Sequence, residues 1–120
     1  MSTTSLLTAP LSAAVASFLI KVVLNICSLQ PFNLRGHPSG HTAVIVALII
    51  MLWNYMPLSS YAFAVAVVFG SLYLSDILLM YYGVIPSVTV DNRPLGHSWQ
   101  EIATGAMVGA LVGLYFVQYD

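Results

Sequence analysis

The chain has 120 residues, of which 59% are hydrophobic and only 6% charged, with three Lys and Arg against four Asp and Glu. An ordinary soluble domain carries about 25% charged residues, so this composition and a mean hydropathy of +0.90 exclude a cytosolic globule and a disordered tail. The same balance excludes a nucleic-acid binder, which needs a basic patch. The single cysteine, Cys27, excludes an internal disulfide or a cysteine zinc cluster. What fits is one integral membrane domain over residues 1–120.

A helix crossing the hydrocarbon core takes about 20 mainly apolar residues. Residues 6–29 form the first such span, with Pro10 in its first turn, where proline is tolerated. No basic segment or small-residue cleavage site marks this stretch as a cleaved signal, so it is expected to stay as an anchor. Residues 42–56 form a shorter second span and residues 58–82 a third. Met56-Pro57 leaves room only for a tight turn between them, which predicts an antiparallel helical hairpin. Residues 99–119 form the fourth span. The apolar runs are continuous and too few to close a barrel, so strands are not expected. The prediction is an all-α, multi-pass helical bundle of about four transmembrane helices, with both termini on one side beside the Pro57 turn.

The polar residues then gather at the other end. Arg35, His37 and His41 belong to the connection before span two, and Asp91, Arg93 and His97 to the connection before span four. Lys21 and Asp76 sit about two turns from the matching ends of spans one and three, and Glu101 opens span four. Six of the seven charged residues and all three histidines thus converge, with Asp120 alone at the opposite end. Two arginines in loops are explained by membrane topology. Ionisable groups within apolar spans are not, because at membrane depth they cost several kcal/mol and are paired or functional. Lys21 can snorkel to the interface. Asp76 is too short to do so, and Lys21 is its obvious partner.

Two motifs carry chemistry. In Arg35-Gly-His-Pro-Ser-Gly-His41, Pro38 and Gly40 make a loop that enters span two. The Ser39 hydroxyl and the Gly40 N–H near a helix N-terminus suit an anion, phosphate above all. His41 beside that anion can protonate a leaving oxygen. Equally, Ser39 can serve as a plain N-cap. In Arg93-Pro-Leu-Gly-His97-Ser-Trp-Gln-Glu101, His97 and Glu101 share a face at a helix start. A carboxylate holding one ring nitrogen leaves the other as base or nucleophile, although Glu101 also complements the helix dipole on its own. Gly105, Gly109 and Gly113 form a ridge that lets another helix approach.

Together these residues resemble the phosphatidic acid phosphatase type 2 superfamily, which includes the vanadium haloperoxidases. Pro38-Ser-Gly-His41 is similar to its second motif. The closer resemblance is to the divergent branch known as acid phosphatase/vanadium-dependent haloperoxidase-related proteins. That branch has a lysine in its first span, as Lys21 here, and a Gly-Met-Pro-Ser-Ser-His-Ser loop, here Gly36-His-Pro-Ser-Gly-His-Thr42. It has an aspartate late in its third hydrophobic span, as Asp76, and ends in Leu-Gly-His-Thr-Pro-x-Glu-Val-x-x-Gly, here Leu95-Gly-His-Ser-Trp-Gln-Glu-Ile-Ala-Thr-Gly105. The resemblance covers residues 13–117 with order and spacing kept.

The resemblance implies a lipid-phosphate or lipid-pyrophosphate phosphatase that needs no metal or cofactor. His97 would be the nucleophile, through a phosphohistidine, with Glu101 orienting it and His41 as general acid. Lys21, Ser39 and Gly40 would cradle phosphate, Arg35 or Arg93 would add charge, and Asp76 would support. The implied partners are a lipid-phosphate substrate and membrane lipids, with no nucleic acid. The chain departs from the superfamily at Ser28, where an arginine-proline is usual, and at Asp91, where the third motif has Ser-Arg. Tyr81 and Tyr82 stand where the branch carries arginines. Phosphoryl transfer leans on guanidinium groups, so the thin arginine complement fits an alternative: a non-catalytic, PAP2-like membrane subunit, in a homo-oligomer or a larger complex. A zinc site of His37, His41, His97 and Glu101 is a further alternative.

Overall fold

The computed structural model describes residues 3–28, 38–57, 59–84, 89–90, 93–94 and 96–119. Four helices account for most of them: α1 (Thr3–Ser28), α2 (Gly40–Tyr55), α3 (Tyr61–Tyr81) and α4 (Trp99–Tyr119). α1, α3 and α4 are long and apolar enough to cross a membrane, and α2 is a shorter apolar helix. The helical fold that the apolar runs predict is present, with three rather than four helices long enough to span a membrane. The one exception is a two-residue antiparallel ladder between β1 (Thr89–Val90) and β2 (Arg93–Pro94), which pairs Val90 with Arg93 and Thr89 with Pro94. It is too short to leave an alternating pattern in the sequence.

Local signals set the helix ends. Ser39 caps α2, its Oγ accepting from the Thr42 N–H at 3.3 Å. Ser60 caps α3 in the same way, through the Phe63 N–H at 3.2 Å. Ser98 Oγ accepts from the Glu101 N–H at 3.3 Å and so caps α4. Each such cap satisfies one of the N–H groups that a helix start leaves unpaired. α2 stops at Met56, whose extended backbone leads into Pro57.

α2 is the centre of the molecule, packing on α1, α4 and α3. It runs parallel to α4. Gly105, Gly109 and Gly113 are buried, and a Cβ at these positions would meet, in order, the carbonyl oxygens of Ser39, Ala43 and Ala47. The glycine ridge therefore faces α2 and brings two backbones together, as small residues do between membrane helices. α1 presents Ala9, Ala13, Ser17 and Lys21, a buried stripe at every fourth residue. Ala13, Ala43 and Ala47 form the inner core, with Val108 and Val112 packed against it. At the far end, the Tyr55 hydroxyl donates to the Val117 carbonyl at 3.1 Å and ties α2 to α4.

α3 stands apart from this three-helix core. Only Gly70 and Ile77 are buried along it, and it packs mainly on α2. Gly70 marks the close approach, since a Cβ there would come within 2.7 Å of Ile45 Cγ2.

Candidate functional site

The start of α2 and the start of α4 are joined by a backbone hydrogen bond, from the Ser39 N–H to the Glu101 carbonyl at 3.1 Å. This link and the Gly105 contact fix the register of the two helices. They thereby set His41, the second residue of α2, opposite His97, which precedes α4. The two imidazole centroids lie 6.0 Å apart.

His97 is held from two directions. Its N–H donates to the Ile77 carbonyl at 3.2 Å, near the end of α3. Gly96 makes that contact possible: its φ of 97° belongs to the left-handed region, and a Cβ there would collide with the Ile77 carbonyl oxygen. On the other side, His97 Nδ1 donates to Glu101 Oε2 at 2.6 Å. A carboxylate only accepts, so the hydrogen sits on Nδ1, and in the neutral ring Nε2 keeps its lone pair. Ser98-Trp-Gln-Glu101 has the spacing of a capping box, in which the glutamate would turn back to the cap N–H. Here the carboxylate is committed to the histidine, and Ser98 caps alone.

These groups open into a cavity of about 800 Å³. Lys21, Gly40, His41 and His97 line its polar part, and Ala14, Val44, Ile45, Tyr73, Ile77 and Met80 the rest. Lys21 and His97 are buried, at 8% and 7% exposure. An ammonium on the same cavity as two imidazoles makes a site for an anion.

Not every residue singled out in the sequence joins this set. Ser39 is fully buried and does not line the cavity; its Oγ accepts from both the N–H and the Oγ1 of Thr42. Of the two roles open to it in the sequence, the geometry uses the cap. Asp76 does not pair with Lys21. It is exposed on α3 and lines a separate cavity of about 510 Å³ between α2 and α3. Asp76 shares with Tyr73 the part of α3 that lines this second cavity, while Ile77, the next residue, turns toward His97. Arg35, His37 and Asp91 lie outside the described residues, and Arg93 is described only through its backbone in β2. Among the described residues, no three His, Cys, Asp or Glu side chains are grouped to hold a metal.

Tyr73 is the residue the sequence did not mark. Its ring centroid lies 5.6 Å from that of His41, and it lines both cavities. The available signal was its spacing from Gly70 and Ile77, the two buried positions of α3, which puts all three on one helix face. Comparison of the chain with protein-family models, with curated proteins and with solved structures gives no match.

Proposed function

We propose that the chain is a membrane-embedded phosphatase acting on lipid phosphates or lipid pyrophosphates through a phosphohistidine at His97. The observation that carries this reading is the ordered trio of Glu101, His97 and His41: a carboxylate 2.6 Å from one imidazole, and a second imidazole 6.0 Å beyond. Lys21 on the same cavity supplies positive charge for phosphate oxygens. A nucleophile and a proton donor on one cavity, with a carboxylate that orients the nucleophile, are the parts that covalent transfer needs.

In the first step His97 Nε2 attacks phosphorus and the bond from phosphorus to the leaving oxygen breaks. Glu101 stabilises the positive charge that develops on the His97 ring, and protonated His41 gives its proton to the leaving alcohol. In the second step His41, now neutral, takes a proton from water, and the resulting oxygen attacks phosphorus. The nitrogen–phosphorus bond breaks, inorganic phosphate leaves and both histidines return to their starting state. The site would lie at one membrane face, with both termini on the other.

The test is phosphate release from lipid phosphates and pyrophosphates by the purified full chain, with a parallel search for an acid-labile phosphoryl group on histidine. Turnover with the label on His97 supports the reading. No turnover on either substrate class and no label would overturn it in favour of a non-catalytic membrane subunit.

A further inference from the structure

The two cavities adjoin, and α2 and α3 supply walls to both. The larger, about 800 Å³, carries Lys21, His41 and His97. The smaller, about 510 Å³, is walled by Leu48, Val65, Ala66, Phe69 and Leu72, and also holds Asp76. Ile45 and Tyr73 line both. Along α2 the lining residues descend from His41 through Ile45 to Leu48, one helix face that covers about 10 Å of axis. Along α3, which runs the opposite way, they descend from Ile77 through Tyr73 and Phe69 to Val65, about 18 Å. The groove thus leaves the polar end and runs between apolar walls toward the middle of the bundle.

We propose that this groove holds the hydrocarbon tail of the lipid phosphate, with the phosphate at His97 and the chain laid between α2 and α3 past Tyr73. The inference rests on the phosphatase reading and deepens it: the substrate class is a phosphate on a chain long enough to pass Tyr73, not a soluble phosphate ester. Two features point to a tail. The direction, polar at the helix ends and apolar toward the middle, is that of a lipid in its own leaflet. α3 packs mainly on α2, so the groove is open along its length to bilayer lipid. Lipid tails are as apolar as the groove walls, so little hydrophobic gain drives entry. The groove instead holds the phosphate in position beside the nucleophile, which is where positioning accelerates a reaction.

The test uses the full chain in phosphatidylcholine nanodiscs and an alkyl phosphonate that carries a diazirine at the far end of a dodecyl chain. Irradiation is done with and without excess untagged dodecyl phosphonate, and dodecyl phosphate hydrolysis is measured on the same preparation. The expected result is label at Leu48, Val65 or Ala66 that the competitor removes. Ala66→Trp, which fills the groove, loses that label, while Val68→Trp, at an exposed α3 position outside the groove, keeps it. Label in the groove that the competitor does not reduce, or competed label only on α1 and α4, overturns the proposal. Competed groove label without hydrolysis rejects the phosphatase and keeps the tail site; hydrolysis without competed groove label does the reverse. If Ala66→Trp does not fold, the wild-type map and its competition decide alone.

Discussion

At the scale of single residues, the proposed chemistry turns on which nitrogen of His97 is occupied. Glu101 takes Nδ1, which leaves Nε2 as the nucleophile of the proposed step, and the described residues offer no second imidazole so held. His97→Ala is therefore expected to abolish phosphate release while the variant remains folded; full activity would reject the phosphohistidine. Glu101→Gln is expected to slow release less, because a glutamine oxygen still accepts from Nδ1 but does not stabilise the charged ring. General acid help is typically worth about 10²–10⁴-fold, so His41→Ala should lose roughly that much on a lipid phosphate. With p-nitrophenyl phosphate, whose leaving group departs without a proton, the loss should be smaller. An equal loss on both substrates would argue that His41 binds phosphate rather than protonating the leaving oxygen. Ser17 belongs to stability instead. Its Oγ is buried on the α1 stripe with no hydrogen-bond partner among the described residues. An unmade bond of this kind costs about 1–3 kcal/mol, so Ser17→Ala should raise the thermal midpoint in detergent. A lower midpoint would mean that the hydroxyl is satisfied.

At the scale of elements, the α2–α4 pair is the joint that makes the site. Gly109 is its tightest point in mid-helix, where an added Cβ would collide with the Ala43 carbonyl. Gly109→Leu should push the helices apart and cost about 1–3 kcal/mol or more, in the range of overpacked cores. Leu111→Ala, at a position 69% exposed, should cost little. Equal midpoints for the two variants would show that the ridge does not face α2. This joint was legible in the sequence because small residues every fourth position have few other uses in an apolar helix. The His97–Glu101 pair was legible for a similar reason, a fixed spacing at a helix start. The position of α3 was not. Its residues are apolar almost all round, so no polar stripe says which face turns inward. Without that face, neither Tyr73 beside His41 nor the separation of Asp76 from Lys21 could be read. Both depend on how α3 is rotated against α2, which Gly70 and Ile45 decide by contact.

At the scale of the whole molecule, alternating helix directions bring four ends to the site: the last turns of α1 and α3 and the first turns of α2 and α4. α3 and α4, with 21 residues each, span about 31 Å, enough for a hydrocarbon core of about 30 Å. α2, with 16, spans only about 24 Å. Its start lies about one turn inside that of α4, where Ser39 meets Glu101. His41, in the first turn of α2, thereby lies deeper along the bundle than the α4 start, and His97 sits at that start. Such an arrangement requires the Pro57 turn and the α4 start to lie on opposite sides of the bilayer. Cys27 is the only cysteine, so Cys27→Ser removes every thiol, and one new cysteine then reports one position. Ser59→Cys, beside the turn, and Gln100→Cys, in the first turn of α4, are both at exposed positions. In sealed vesicles of uniform orientation, a membrane-impermeant maleimide added outside should modify one of the two variants and spare the other until the vesicles are opened. Modification of both from outside would mean that α3 does not cross, and the Pro57 turn and the proposed site would then share one side of the bilayer.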